Sequence, residues 1–408
     1  MWYPVKLAWR NIFRNKRRTY ITAVAIGLGL ASLIFSDAFI IGMKKNMIQS
    51  ATSSFLGEAQ IHQKGYRLTR EVEKTVNNLP SVVKSLEGED LVDRFALRTL
   101  TFGMITSPAD VNSVLLVGIE PDKERKLSRI DDAINRGEFL SSETGRDIVI
   151  GSKLAEILDV GLGDRVVATC AQAGTGDLSQ EMFRIAGIYT FNVREMDTGM
   201  AFIPLKKAQQ MLGLENDVHE IAVKFKNMED AAKENLPLWQ KYSQEGNEMV
   251  SWAELLPDLK SVFEMTGIML MIIGVILFAI VTFGVVNTLF MSLYERLFEF
   301  GVLRAVGTRP GGVRRLIILE AGAMALISIF VGAVLGFLLT FIFTKTGVDY
   351  RGIEFAGSTI YEMLYPVIHI RQYIIYPLAV FIFTLIIGLY PATVAARMSV
   401  TDAMRKSL

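Results

Sequence analysis

The sequence predicts an α-helical membrane protein with four transmembrane helices and a large α+β domain inserted between the first and second. Apolar residues make up 51% of the 408 residues while charged residues still make up 21%, so the apolar residues are concentrated in segments. A helix needs about 20 apolar residues to cross the ~30 Å hydrocarbon core of a bilayer. Stretches that meet this requirement are 21–43, 265–293, 316–344 and 373–396.

The first apolar stretch is predicted to be a retained span and not a signal peptide. It is too long for the apolar region of a signal peptide, has no small-x-small cleavage site, and follows the basic segment 1–20. In that segment apolar and basic residues alternate at helical spacing, which predicts an amphipathic helix on the inner leaflet. A plain basic tail is the alternative, and it explains the charge but not the aromatic residues. The apolar residues are Trp2, Val5, Leu7, Trp9, Ile12 and Phe13.

The flanking cations predict the orientation, because loops rich in Lys and Arg stay in the cytoplasm. Cations cluster before the first span, in the loop 294–315 and in the tail 397–408. We therefore expect both termini and the 294–315 loop in the cytoplasm. Residues 44–262 and the loop 345–372 then lie outside.

Residues 44–262 read as a folded α+β domain. Runs of β-branched residues bounded by Gly, Asp and Pro predict strands, and apolar residues spaced by three and four predict helices. The predicted strands are 58–65, 94–106, 111–119, 147–151, 164–170, 183–191, 199–205 and 220–225. The predicted helices are 44–54, 68–79, 152–160, 205–213 and 228–245.

Several function classes are excluded by composition and motifs. The net charge of +1 gives no electrostatic basis for nucleic-acid binding. The sequence shows no P-loop, G-x-S-x-G, H-E-x-x-H or C-x-x-C motif, so we expect neither catalysis nor a cofactor in this chain. Cys170 is the single cysteine, and His62, His219 and His369 have no metal-ligand spacing, so buried or half-buried structural roles are expected for all four. The glycine-rich segment 173–177 predicts a hairpin tip.

Two ionisable residues fall within the spans. Glu320 lies close to the cytoplasmic end of the third span and Asp37 close to the outer end of the first. At these depths both are expected to be hydrated or to extend their carboxylates to the interface. A proton-driven mechanism is the alternative.

The loop 294–315 is unusually charged and helical for a connection between spans. Tyr294–Ala305 interleaves apolar and charged residues as a short amphipathic helix does, Gly307 predicts its end, and 308–312 predict a turn before a helix resumes at Val313. Such a helix suits docking into a groove of a cytosolic partner. An interfacial loop without a partner is the alternative.

This loop resembles the coupling segment E-R-x-x-E-[FI]-G-x-[LM]-[RK]-A-x-G of the FtsX-like/MacB-type ABC transporter permeases. The matching residues are Glu295, Arg296, Glu299, Phe300, Gly301, Leu303, Arg304, Ala305 and Gly307. The resemblance implies that they couple the permease to an ATPase.

Other segments carry the same resemblance. Residues 7–19 look like the family's N-terminal amphipathic helix, and 148–167 resemble its periplasmic signature, with matches at Gly151, Leu154, Ala155, Gly163 and Asp164. Residues 187–213, with Glu195 and Asp197, look like the lipoprotein-releasing LolC/LolE-type branch. Residues 390–405 resemble the end of the fourth span, although Ser399 and Val400 stand where the family usually has Asp-Pro.

The resemblance implies an architecture and a set of partners. The outer domain would hold a MacB-like periplasmic core plus a second, more variable subdomain. Two permease copies, identical or different, would pair within the lipids of a bacterial inner membrane. They would be driven by a dimer of a separate cytosolic ATPase that binds ATP and Mg. A lipoprotein substrate and a periplasmic chaperone are further implied partners. In the chaperone-recruiting permease the corresponding loop is a hook that contains proline and aromatic residues, whereas the loop 168–183 has no proline and no aromatic residue before Phe183.

A candidate substrate surface lies near the outer leaflet. Phe35, Phe39, Met43 and Met47 recur every four residues, and methionine adapts to irregular acyl chains. Residues predicted to face this stripe are Phe263, Met265, Met269 and Leu270. Ordinary helix packing or a dimer seam is the alternative.

The function most consistent with these observations is a permease of the mechanotransmission type. It would couple ATP hydrolysis by its partner to the extraction of a lipoprotein or another amphipathic substrate from the outer leaflet. Efflux of a hydrophobic peptide or drug is one alternative. A non-transporting scaffold that activates an external cell-wall hydrolase is another, from a different class.

Overall fold

The computed structural model describes residues 3–14, 16–141, 145–233, 235–350, 354–355, 358–359 and 363–397. The chain divides into two compact units. The first, which we call the helical unit, contains Met1–Lys45, Phe263–Arg351 and Tyr361–Leu408. The second, which we call the outer unit, contains Asn46–Val262 and Gly352–Ile360. The predicted tail beyond residue 397 lies outside the described residues.

The helices, in chain order, are α1 (Tyr3–Arg14), α2 (Lys16–Ala51), α3 (Tyr66–Thr69), α4 (Leu79–Glu87), α5 (Pro121–Leu127), α6 (Ser152–Leu158), α7 (Arg194–Gly199), α8 (Leu205–Leu212), α9 (Pro237–Lys241), α10 (Trp252–Leu255), α11 (Pro257–Glu295), α12 (Leu297–Ala305), α13 (Pro310–Thr346) and α14 (Gln372–Arg397). A π-helical turn, Thr52–Leu56, follows α2, and a 3₁₀ turn covers Met228–Ala232.

The strands are β1 (Ala59–Gln63), β2 (Val92–Thr106), β3 (Val111–Ile119), β4 (Ile134–Gly137), β5 (Asp147–Gly151), β6 (Arg165–Ala171), β7 (Leu178–Tyr189), β8 (Met200–Pro204), β9 (Glu220–Phe225), β10 (Asn247–Ser251), β11 (Glu354–Phe355) and β12 (Ser358–Thr359).

Four helices of the described chain are long and apolar enough to cross a membrane: α2, α11, α13 and α14. The predicted four-span fold with an α+β domain between the first two spans is therefore confirmed. α2 and α13 pack closely at small residues. A Cβ atom at Gly332 of α13 would lie 2.8 Å from the carbonyl oxygen of Gly27 in α2, so only glycine permits this approach.

The helical unit has an apolar core built from all four spans. Its buried residues are Ile26, Leu30, Ile34, Val281, Val285, Leu289, Ala321 and Val380. The core therefore packs residues of all four spans against one another.

The outer unit is built on one ten-stranded mixed sheet with the order β10-β1-β9-β2-β3-β8-β5-β7-β4. β6 pairs with both β2 and β7, so β2, β3, β8, β5, β7 and β6 close into a ring. The pairs β3–β8 and β5–β7 are parallel, and the other pairs within the ring are antiparallel. Its main core combines strand residues with α6 and α8, which contribute Leu154, Leu158, Met211 and Leu212.

The local patterns predicted most of these elements. β3, β5 and β9 coincide with predicted strands, and the β6–β7 connection is a hairpin whose tip has Gly174 and Gly176 at φ +76° and +70°. The helix predicted over 68–79 is wrong. Arg70 and Asn78 adopt positive φ values of 54° and 51°, which end α3 and delay α4.

The helix predicted over 228–245 is also wrong. The chain forms the 3₁₀ turn Met228–Ala232 and then α9, which starts at Pro237. Leu236 is extended, because the residue before a proline is disfavoured in the helical region.

Buried polar groups stabilise the outer unit. Arg98 donates to Glu124 and Glu220, and all three side chains are buried. His62, His219 and Cys170 are buried as expected, but His369 is exposed, so its predicted burial is wrong. His219 accepts from the Leu100 amide at Nδ1, which leaves Nε2 to donate to the Val72 carbonyl.

Candidate functional site

The candidate site is α12, the short helix between the second and third spans. α11 ends at Glu295, Arg296 leaves the helical region, and α12 starts at Leu297, three residues later than the predicted start. α12 ends before Gly307, whose φ of +102° only glycine adopts readily. The predicted turn over 308–312 is shorter than expected, because α13 already starts at Pro310, where a proline needs no hydrogen-bond donor.

One face of α12 packs into the helical unit. Leu297, Phe300 and Gly301 are buried. The apolar cluster around them includes Ala8 of α1, Leu293 of α11, Val313, Leu316 and Ile317 of α13, and Ala392 and Ala395 of α14. α12 is therefore held by four other helices.

Arg296 makes the strongest polar contact of this face. Its guanidinium lies 2.5 Å from Glu320 through Nη1 and 3.0 Å from Glu299 through Nε. It also lies 5.0 Å above the ring of Phe300. Burial alone would lower the pKa of Arg296, but the two carboxylates outweigh it and raise that pKa above its ordinary value. Arg296 is therefore charged at neutral pH and is paired with both carboxylates.

Glu299 connects α12 to α1. Its Oε1 accepts a hydrogen bond of 2.6 Å from Arg14 Nη1. Partial burial would raise the pKa of Glu299, but the hydrogen bonds from Arg14 and Arg296 hold that pKa below its ordinary range. The carboxylate thus remains ionised at neutral pH.

Glu320 of α13 is held by partners within the protein. It is buried, and its Oε1 accepts from Arg296 and also from Asn11 Nδ2 at 2.7 Å. Asp37, the other ionisable residue within a span, is half-buried and accepts from Gln372 Nε2 at 3.0 Å. Both carboxylates have partners within the protein.

The C-terminal end of α12 is tied to the fourth span. Arg304 Nη1 donates to the carbonyl oxygen of Ala396 at 2.8 Å. This bond links the C-terminal end of α12 to α14. α12 is therefore held at both ends, by α13 at Arg296 and by α14 at Arg304.

The opposite face of α12 is apolar and exposed. Phe298, Val302 and Leu303 lie on it, and Val306 follows directly with an exposed fraction of 83%. Exposed apolar groups that cluster outside the lipid-spanning core are typical of docking surfaces. We call these four residues the outer face of α12.

The predicted coupling residues divide between the two faces. Arg296, Phe300 and Gly301 are buried, Glu299 and Arg304 are half-buried, and Glu295, Leu303, Ala305 and Gly307 are exposed. The family pattern did not include Phe298, Val302 and Val306. Their spacing of four residues was the signal that could have placed them on one face.

The aromatic residues of the predicted substrate stripe pack against the outer end of α13 and the residues after it. Phe35 lies 5.3 Å from Phe343 and Phe39 lies 5.5 Å from Tyr350, measured between ring centroids. Met43 and Met47 are half-buried, and Met47 belongs to the outer unit.

The residues expected to face the stripe differ in burial. Phe263 is buried, with Lys44 Nζ 5.6 Å from its ring centroid. Met265 and Met269 are 62% and 61% exposed, and Leu270 is half-buried. α11 therefore carries part of the exposed apolar surface at the outer end of the helical unit.

Asp197 of the predicted LolC/LolE-type segment has a structural role. Its carboxylate accepts from the amides of Phe191 and Asn192 at 2.7 and 2.9 Å, while Glu195 is exposed. The segment therefore organises the turn before α7.

Comparisons with known proteins agree with this architecture. Residues 19–236 match the family described as MacB-like periplasmic core domain, and residues 271–400 match the family described as FtsX-like permease C-terminal. The lipoprotein-releasing system transmembrane protein LolC of Neisseria meningitidis is 22% identical over 334 residues, covering 80% of this chain and 78% of that protein.

Two further relatives match nearly the whole chain. The lipoprotein-releasing system transmembrane protein LolE of Haemophilus influenzae is 22% identical over 414 residues, covering 97% of each chain. The macrolide export ATP-binding/permease protein MacB of Campylobacter jejuni is 23% identical over 419 aligned residues, covering 98% of this chain and 61% of that protein.

Proposed function

Because the chain belongs to the ABC transporter permeases of the LolC/LolE and MacB type, we propose that it extracts an acylated, amphipathic substrate from the outer leaflet, driven by a separate ATPase that docks on α12. ATP and Mg would bind to that ATPase. A second permease copy, identical or related, would complete the complex.

The outer face of α12 is the observation that carries the proposal. A helix of nine residues would be too short to be stable alone, but α12 is fixed to four other helices. A fixed helix that exposes Phe298, Val302, Leu303 and Val306 can bind a groove and transmit force without bending. An interfacial loop with no partner would not require the ion pair of Arg296 with Glu320 or the hydrogen bond of Arg304 to Ala396.

The orientation completes the path of the force. If the cations mark the cytoplasmic side, α12 faces the cytosol and residues 46–262 lie outside. α2 and α11 lead directly from the helical unit into the outer domain. ATP-driven displacement of α12 would then reach the outer domain along these two helices.

The nature of the substrate is supported by relatives and by α11. Two relatives are named for lipoprotein release, and Met265 and Met269 expose flexible apolar side chains near the outer end of the span. A hydrophobic peptide or drug is the second candidate, because MacB is named for macrolide export. We do not include a chaperone, because the β6–β7 turn is short.

A matched pair of valine substitutions tests the docking. Val306→Glu places a charge on the outer face of α12, and Val111→Glu places the same charge on an exposed strand residue of the outer unit. Losing an interface contact of this kind costs about 2 kcal/mol, roughly thirtyfold in Kd. We expect Val306→Glu to lose a co-expressed P-loop ATPase at an unchanged melting temperature, and Val111→Glu to retain it.

The substrate is tested on the same purified complex. A diacylated peptide should stimulate ATP hydrolysis more than the unacylated peptide or a macrolide does. Stimulation by the macrolide alone would favour the efflux function. A complex that retains the ATPase but responds to neither would favour the scaffold function.

A further inference from the structure

The carboxylate of Glu320 joins three helices at one oxygen atom. Its Oε1 accepts from Arg296 at the start of α12 and from Asn11 Nδ2 of α1, at 2.5 and 2.7 Å. Arg296 and Glu320 are both buried, and Asn11 is half-buried. Because a buried carboxylate needs all its partners, the three helices are held in one arrangement around it.

A second, weaker contact also links α1 to α12. Arg14 pairs with Glu299, but the two side chains are 54% and 44% exposed. Water and salt screen such an exposed pair, so it contributes little and breaks easily. The buried contact at Glu320 is therefore the stronger of the two polar links between α1 and α12.

Polar groups line the space beside this contact. A cleft next to Glu320 and Asn11 is also lined by Thr19 of α2 and by Thr288 and Ser292 of α11. Hydroxyl groups can donate to a carboxylate or accept from a guanidinium. Hydroxyl groups of α2 and α11 therefore lie beside the buried charges.

Building on the proposed function, we propose that Glu320 and Asn11 are positioning residues that make α1 a moving part of the transmission. When the ATPase displaces α12, Arg296 carries Glu320 and α13 with it, and Asn11 carries α1. α1 then moves with the coupling helix and is not only an anchor on the membrane surface. The cations of α1 follow the same movement.

Asn11→Leu tests this, because it removes only the donor from α1 and leaves the Arg296–Glu320 pair intact. Asn11→Gln retains an amide donor and serves as the conservative variant. Lys6→Gln, at an exposed position of α1, serves as the control. All variants are made in the full chain, in nanodiscs, with the co-expressed ATPase.

The first measurement is the distance between spin labels at Arg10→Cys and Arg309→Cys, in α1 and just before α13, without nucleotide and with ATP trapped. Both positions are exposed, and the native Cys170 is buried. We expect the same distance in both states for the unsubstituted background and for Lys6→Gln. With Asn11→Leu we expect the distance to change or broaden on ATP binding, and with Asn11→Gln to return to the background value.

The second measurement is the ratio of ATP hydrolysis with a diacylated peptide to hydrolysis without it. We expect Asn11→Leu to retain the ATPase and lose at least about half of the stimulation, with Asn11→Gln restoring it. An equal distance change in the background and in Asn11→Leu overturns the inference. So does a variant that loses ATPase and melting temperature together without rescue by Gln, since that is a purely structural effect.

Failure of the proposed function gives a different result. A wild-type chain that binds no ATPase contradicts the docking on α12, and the inference with it. A wild-type chain that binds the ATPase while Asn11→Leu behaves like the background contradicts only the role of Glu320 and Asn11.

Discussion

Gly151 and Asp197 are in direct backbone contact within the outer unit. A Cβ atom added to Gly151 would lie 2.2 Å from the carbonyl oxygen of Asp197 and 2.6 Å from its carbonyl carbon. Gly151 is the last residue of β5, and Asp197 lies in α7. The carboxylate of Asp197 orders the turn that precedes α7. Two family segments that are distant in sequence are therefore parts of one packing contact.

This contact predicts a large effect for a small substitution. Gly151→Ala must displace the backbone of α7, which we expect to destabilise the outer unit by about 1–3 kcal/mol. Gly199→Ala, at the end of the same helix, has no atom within 4 Å of the added Cβ and serves as the control. Melting temperatures of the full chain in nanodiscs give the measurement, and equal values for both variants would contradict the contact.

Local sequence patterns could predict the spans and most strands, because those depend on neighbouring residues. The contacts of Glu320 could not be predicted, since its partners Arg296 and Asn11 are 24 and 309 residues away in the chain. The family pattern identified Gly301 and Leu303 but not that one is buried and the other exposed. The helix over 68–79 was mispredicted because the sequence does not reveal that Arg70 and Asn78 take positive φ values.

His62 predicts how stability depends on pH. Burial, with the charges of Arg67 and Arg70, lowers its pKa from 6.5 to about 3. Neither ring nitrogen has a hydrogen-bond partner among the described residues, although Glu248 Oε1 lies 3.6 Å from Nδ1. The folded state thus keeps His62 neutral while the unfolded chain takes up a proton below about pH 6.5.

The sign of the effect follows from this difference. Above pH 6.5 His62 is neutral in both states, so its protonation does not affect stability. As the pH falls from 6.5 towards 3, preferential protonation of the unfolded chain lowers the free energy of unfolding by at most about 1.4 kcal/mol per pH unit. His62→Leu should make the melting temperature depend less on pH between 6.5 and 4. The slope should not vanish, because burial also lowers the pKa of His219. His369→Gln, at an exposed position, should leave the slope unchanged, and an unchanged slope in His62→Leu would contradict this account.

Cysteine accessibility tests the orientation. Cys170 is buried, and burial raises the pKa of its thiol to about 11, so it should not react at neutral pH. A cysteine at Thr175, on the exposed β6–β7 turn, should react with an impermeant maleimide in spheroplasts. A cysteine at Gly311, at the exposed start of α13, should react only after the membrane is opened. The reverse pattern would place α12 outside and exclude its docking on a cytosolic ATPase.

The outer ends of α2 and α11 should differ in their response to truncation. Phe35 packs on Phe343, so Phe35→Ala should destabilise the helical unit by roughly 1–2 kcal/mol, because only packing is lost when lipid surrounds the bundle. Met269→Ala removes an exposed side chain and should leave the melting temperature unchanged. If Met269 contacts the substrate, this variant should bind a diacylated peptide more weakly.

A photo-crosslinker at the same two positions provides the control. At Met269 it should label the acyl chain of the bound peptide, and at Phe35 it should label only the permease. Acyl labelling from Phe35 with none from Met269 would identify the stripe on α2 as the substrate surface.

The docking of the ATPase is tested most directly by photo-crosslinking from two leucines of α12. Leu303, on the outer face, is 39% exposed, and Leu297, on the buried face, is 4% exposed. The same diazirine-bearing amino acid can replace leucine at either position, so the two probes differ only in their location. In the nanodisc complex, the probe at Leu303 should crosslink to the ATPase, and the probe at Leu297 should crosslink only within the permease. Crosslinking to the ATPase from neither position, or equally from both, would contradict docking on the outer face of α12.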